Sequence, residues 1–235
     1  MAKEPGPGPA RRASDRGRYG RLNRERVLGA ALRLVDREGL SALSMRRLGA
    51  ELGVEAMALY RYASSKDALL DGLVEALHAE LEERLSAGEA ADGWRAELRR
   101  VALVTYDICL DHPQVVPLLS TRMLAVPLAR RPAATLRHHE RVLTLFEEAG
   151  LDTARSARLF RAFTGWVLGY VSVELQAMVD NPQEPESGFR LGLHHMDPRE
   201  LPRLRATAPA LAERAGRADL TDGLDALMDR FAGPG

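Results

Sequence analysis

An all-α protein is what this sequence predicts, with a small N-terminal helix-turn-helix unit joined to a larger helical domain. Three observations predict it. Aromatic residues make up only 5% of the 235, while Leu, Ala, Arg and Glu, which favour helix, are plentiful. Apolar residues recur three and four positions apart along most of the chain. No segment alternates well enough to be a half-buried strand.

Residues 1–22 form a basic arm rich in Pro, Gly and Arg, with too few apolar side chains to order when free. The first helix is expected from Asn23, an N-cap, to Glu38, with Gly39 closing it and Leu40 making the closing apolar contact. Its buried stripe is Val27, Ala31, Leu34 and Val35. A short second helix follows, capped by Ser44, with Leu48 and Leu52 on its apolar side. Gly53 supplies the left-handed residue of a tight turn, and Val54 and Leu59 anchor a third short helix. Ser64 to Asp67 reads as a capping box that starts a fourth helix, carried by Leu69, Leu70, Leu73, Leu77 and Leu81 out to about Leu85. The stretch SAGEAADG breaks the chain at 86–93. Beyond it, helices are expected at 94–111, 114–125, 132–149, 153–180, 198–215 and 219–232, with a Pro/Gly-containing loop at 181–197. The organisation is then a disordered arm (1–22), a helix-turn-helix domain (23–66), a connecting helix (67–85) and a second domain (94–235).

No stretch approaches the roughly 18–20 unbroken apolar residues of a membrane span. The first 20 residues are polar and basic and lack the pattern of a signal peptide. The single Cys109 excludes an intrachain disulfide and a Cys-based metal cluster; it lies in the apolar run VALVTYDICL and reads as a small core residue. A cytoplasmic protein is expected. The net charge of zero conceals an asymmetry: residues 1–66 hold 14 Lys/Arg against 7 Asp/Glu, and residues 67–235 hold 19 against 26. A basic module joined to an acidic one suits a DNA reader coupled to a domain with another task.

The most specific stretch is SMRRLGAELGVEAMALYRYASSKD, residues 44–67. Two short helices joined through Gly53 are the layout in which the second helix enters a DNA major groove, although an ordinary helical hairpin has the same spacing. The wider window separates the two. RERVLGAALRLVDREG, LSMRRLGAELGV and EAMALYRYASSKDALL resemble the DNA-binding domain of the tetracycline-repressor (TetR) family over residues 23–85. Gly53-Val54, Leu59-Tyr60, Tyr62, Lys66 and Leu69-Leu70 carry that resemblance together. From about residue 94 the chain resembles the family's tetracycline-repressor type of ligand-binding and dimerisation domain, through LLSTRMLAVPLARRP, the helix around Trp166, LPRLRATAPALAERAG and LTDGLDALMDRF.

The resemblance implies a DNA-contacting set of Ser44, Met45, Arg46, Ala56, Met57, Ala58, Tyr60, Arg61, Tyr62 and Lys66. Side-chain chemistry then suggests roles. Lys66 stands at a helix N-terminus, where a phosphate is the natural ligand. Tyr60 and Tyr62 suit phosphate or sugar, though Tyr60 could equally be a core residue between helices. Arg46 and Arg61 can take two acceptors of a guanine or hold a phosphate. Ala56, Met57 and Ala58 offer no side-chain hydrogen bonds and suit thymine methyls or close approach. This departs from the polar residues of the tetracycline repressor, so a different operator is expected. The arm's Arg11, Arg12, Arg16, Arg18 and Arg21 either enter the minor groove or only solubilise.

In the second domain the helix 153–180 is apolar almost all round, so both faces should be covered, one by a cavity or core and the other by a second subunit. Leu220, Leu224, Leu227, Met228 and Phe231 give the last helix a stripe that could complete a four-helix dimer interface. Tyr106, His112, Met123, Trp166, Tyr170 and Glu174 are polar or amphipathic groups within apolar helices and are candidate effector-binding residues. His112, before Pro113, also fits a helix-terminal structural role. The resemblance would place a metal-binding His near Pro127 and another within AELEERL; neither His is present, so no metal and no cofactor are expected. His194-His195 lacks further ligands at useful spacing. No GxSxG, Gly-rich phosphate loop or HExxH occurs, so an enzyme is not expected. The reading is a homodimeric DNA-binding regulator, a repressor released from a pseudo-palindromic operator in double-stranded DNA by a small hydrophobic ligand. The alternative is a DNA-binding regulator controlled by a protein partner.

Overall fold

The structure, a computed structural model, describes residues 22–180, 197 and 199–232. Among them there is no strand. Helices α1 (Arg24–Glu38), α2 (Met45–Leu52), α3 (Ala56–Leu59) and the start of α4 (Lys66–Ala87) build the N-terminal unit. Helices α5 (Trp94–Asp111), α6 (Val116–Ala125), α7 (Ala133–Glu148), α8 (Thr153–Asp180), α9 (Pro202–Ala212) and α10 (Gly216–Ala232) build the second domain. The expected all-α class is what the chain adopts.

Local chemistry sets most of the boundaries. Asn23 caps α1 by accepting from the Arg26 N–H at 2.8 Å. Val27, Ala31, Leu34 and Val35, the expected stripe, are fully buried. Ser44 caps α2, accepting from the Arg47 N–H. Gly53 ends it at φ 66°, ψ 31°, a left-handed conformation that a side chain would strain.

Several boundaries differ from expectation, among them the last helix, which starts at Gly216 rather than at 219. The cap of α4 is Ser65 rather than Ser64, because Ser65 is the hydroxyl that accepts from the Ala68 N–H. The expected helix at 114–125 opens as a 3-10 turn, Pro113–Val115, before α6; Pro113 has no N–H to donate and stands where none is needed. The penultimate helix is shorter than expected and starts at Pro202, whose fixed φ suits a first helical turn. The arm, up to residue 21, and nearly all of the 181–197 loop, with His194-His195, lie outside the described residues.

One continuous core joins the two units. Leu69, Leu73, Leu77, Leu81 and Leu85 of α4 are buried along its length. α4 packs on α1 at one end and on α5 and α7 beyond, while α10 lies against α8 and α5. Arg95–Asp229, Arg99–Asp225 and Arg217–Asp107 ion pairs fasten α10 to α5.

Candidate nucleic-acid interface and its link to the second domain

Leu48, Leu52 and Leu59 turn inward and hold α2 and α3 together. Their opposite faces are therefore presented outward. Met57 is 77% exposed and Tyr60 45%, and Arg46, Arg61, Ser44 and Lys66 are exposed beside them. Ala56 and Ala58 are half-buried. Lys66 is the first residue of α4, at the positive end of a 22-residue helix. Cations, a hydroxyl-bearing ring and small apolar groups thus share one surface, the mixture that holds phosphates and reads base edges.

Two members of the expected set have inward roles. Met45 packs part-buried against the core. Tyr62 is part-buried, and its hydroxyl donates to the Leu22 carbonyl at 2.6 Å; Arg61 lies over its ring at 5.6 Å. Tyr62 therefore stiffens the platform from behind. Arg47, next to Arg46, pairs with Glu38 at 2.6 Å, which ties α2 to α1 and holds the Glu38 carboxyl below its usual range.

Behind this surface, ion pairs join the N-terminal unit to the second domain. Arg122, in the last turn of α6, reaches Asp67 at 2.6 Å and Asp71 at 3.4 Å, both in the first turns of α4. At the far end His112 stands between Asp36 of α1 at 2.8 Å and Glu80 of α4 at 3.1 Å. The hydrogen bond to Asp36 leads the effects that raise the His112 pKa, against a smaller opposing effect of burial. Arg84 pairs with Glu80 and with Asp111 beside it. His112 thus serves as a joint between three helices, the structural role open to a helix-terminal His.

The remaining candidate effector residues gather in one place. Trp166 Nε1 donates to the Leu220 carbonyl at 2.9 Å, and its ring lies so close over Gly223 that a Cβ there would stand 2.1 Å from a ring carbon. Tyr170 donates to the Gly216 carbonyl at 2.5 Å. Glu174 accepts from the Ala215 and Gly216 N–H groups at the start of α10, and from Tyr106 at 3.3 Å. A carboxylate on the orphan N–H groups of a helix start is a cap. These four residues dock α10 onto α8 and α5. The side chain of Met123 lies outside the described residues.

Sequence reasoning missed His78, His138 and His139, which lie together between α4 and α7. The available signal was an interruption: the apolar face of α7, Ala134, Val142, Leu145 and Phe146, also carries Thr135 and His139, both buried.

Residues 27–73 match the family model for bacterial regulatory proteins of the tetR family. Residues 87–229 match that for the tetracyclin repressor-like C-terminal domain. The chain belongs to the tetR family. It is a DNA-binding transcriptional regulator by that membership. An HTH-type transcriptional regulator of Saccharopolyspora erythraea is 35% identical over 199 residues, 81% of this chain and 74% of the relative. The HTH-type transcriptional repressor DrrR1 of Streptomyces coeruleorubidus is 34% identical over 164 residues; the match spans 70% of this chain and 58% of that relative's length. Among solved structures, the TetR regulator SCO7222 of Streptomyces coelicolor superposes with a TM-score of 0.67 at 25% identity, covering 90% of this chain and 98% of that one. Among the described residues no helix is long and apolar enough to cross a membrane.

Proposed function

We propose that this regulator is a homodimeric repressor that leaves a pseudo-palindromic operator when a small molecule occupies its second domain. The observation that carries the reading is α4. It begins at Lys66 in the exposed surface, runs 22 residues, and is ion-paired to the second domain near both ends. At about 1.5 Å per residue it is a lever of roughly 33 Å. The relative in S. coeruleorubidus is named a repressor, which supports the sign of the regulation. On the surface, Ser44, Arg46, Ala56, Met57, Ala58, Tyr60, Arg61 and Lys66 form the contact set, with Met45 and Tyr62 supporting it.

The dimer is supported by α8. Val173, an apolar side chain, is 76% exposed on this helix, and Gly169 and Gly165, one and two turns before it, have open space where a Cβ would stand. Such a face admits a second helix at close range. Two copies would place two recognition helices on half-sites about one helical turn, roughly 34 Å, apart. The test is Val173→Asp. Sedimentation should show the wild type as a dimer and the variant as a folded monomer, with specific operator binding lost. A variant that stays dimeric and binds would place the interface elsewhere.

A further inference from the structure

The junction of α1 and α4 carries a groove that neither DNA reading nor effector control uses. The two helices cross tightly at one point: a Cβ on Gly72 would stand 2.3 Å from a methyl carbon of Leu28. Beside that crossing the facing residues are too small to fill the space between the helices. Gly29 of α1 and Ala76, Ala79 and Ala87 of α4, with Leu28 and Leu32, floor a groove of about 730 Å³. Its rim is charged. Arg24 and Arg84 are already taken, by Glu75 and by Glu80. Glu25 on α1 and Glu83 on α4 are exposed, and their carboxylates hold no ion pair among the described residues. The lining thus sets four carboxylates against two guanidinium groups; a third, that of Arg33, stands at its edge beside Gly29.

Spare carboxylates over an apolar floor suit a basic segment laid lengthwise, and this chain supplies one at the mouth of the groove. Residues 1–21 hold Lys3, Arg11, Arg12, Arg16, Arg18 and Arg21 against Glu4 and Asp15. They join the fold at Leu22, whose carbonyl accepts from the Tyr62 hydroxyl, and Arg24 just beyond it stands in the groove wall. From Glu75 to Ala87 the groove follows α4 for about 18 Å, at roughly 1.5 Å per residue. Arg12 to Arg18 spans about 20 Å when extended. Gly17 and Gly20 accept the turn that doubling back requires.

We propose that residues 11–18 dock in the α1–α4 groove of their own chain while the protein is free of DNA, with arginines on Glu25 and Glu83, and that duplex DNA competes for them. Phosphates and these carboxylates seek the same guanidinium groups, so the arm cannot serve both. Docking lowers affinity for operator and random duplex alike, because it withholds charge and not base contacts.

The test uses the full chain. Cys109 is buried and burial pushes its thiol up to about 12, so Ser14→Cys puts a nitroxide label on the arm alone. At low salt the label should broaden the NMR amide signals of Ala76, Ala79 and Ala87 and leave that of Val173, on α8, sharp. Random-sequence duplex should abolish the broadening, and so should the variant Glu25→Gln/Glu83→Gln, which changes only exposed helix positions. Random duplex should also bind that variant at least about threefold more tightly than the wild type, as two exposed ion pairs allow. Repulsion between the carboxylates and phosphates could give such a gain by itself. The gain should therefore largely vanish when the same two substitutions are made in a chain whose Arg11, Arg12, Arg16 and Arg18 are replaced by Gln. Sharp groove signals, broadening that survives saturating DNA, or an equal gain in both backgrounds would each overturn the proposal. Broadening seen only when the label and the isotope are on different molecules would assign the groove to the arm of a second copy, and would overturn it too.

Discussion

At the scale of single residues, Lys66 and Arg61 make contrasting tests of the interface. Both are exposed on the same surface, yet their chemistry differs. An ammonium at a helix N-terminus holds a phosphate as a point charge, and phosphate contacts carry no sequence information. Lys66→Ala should therefore weaken binding to specific and random duplex alike, and reduce the slope of log affinity against log salt by about 1. An unchanged slope would remove Lys66 from the interface. A guanidinium can bond two acceptors of a guanine. Arg61→Ala should cost about 1–3 kcal/mol on the operator and relax preference at one base pair. Equal losses on every sequence would make Arg61 a second phosphate contact.

At the scale of elements, the question is what holds α4 against its neighbours. Arg122 reaches the first turns of α4 from α6. Its side chain is largely covered, and it fixes the turn from which Lys66 projects. Arg122→Gln should thus weaken operator binding by up to about fivefold, as expected for a pair worth less than about 1 kcal/mol in partial solvent. The salt slope should stay as in the wild type, since no phosphate contact is lost. A reduced slope would mean that Arg122 touches DNA itself. The other end of α4 gives a pH dependence. His112 has its pKa raised chiefly by Asp36. Its contribution to stability is then fully present below the ordinary value of 6.5 and is lost as pH rises through the raised one. The groups facing it are Asp36 on α1, Glu80 and Arg84 on α4, and Asp111 on α5. Thermal denaturation of the wild type and His112→Gln should show a larger wild-type advantage at about pH 6 than at about pH 8.5. An advantage independent of pH would show that the proton on His112 plays no part in the joint.

At the scale of the whole molecule, the proposed induction would be a change in the separation of two recognition surfaces. On that proposal, a ligand that tilts α4 would misalign the half-sites without unfolding anything. It must bind the DNA-incompetent state more tightly, or the populations do not shift. Linkage then requires reciprocity: operator DNA must weaken ligand binding by the same factor by which ligand weakens DNA binding. Ligand titrations with and without operator, at fixed salt, measure this directly. Equal affinities in both would eliminate small-molecule induction and favour control by a protein partner.

Much of this was determined by the sequence alone. Caps, glycines and apolar spacing are local, so α1, α2, α5 and α8 could be placed to within a residue or two, and Gly53 with its flanking leucines announced the helix-turn-helix. The exposed surface from Ser44 to Lys66 was legible for the same reason, because a short helix with one apolar face must present the other. What only the tertiary structure decided were partnerships across long stretches of chain. Trp166, Tyr170 and Glu174 have the composition of a ligand site, yet their polar atoms meet the backbone at the start of α10, 42 to 54 residues away. Tyr62 has the look of a phosphate contact, but its hydroxyl meets a carbonyl 40 residues before it. His138 and His139 gained a third ring beside them only when α4 brought His78 to α7, 60 residues from His138 along the chain. Hydrogen bonds and burial depend on which helices the fold brings together, and periodicity, which reports one helix at a time, carries no record of that choice.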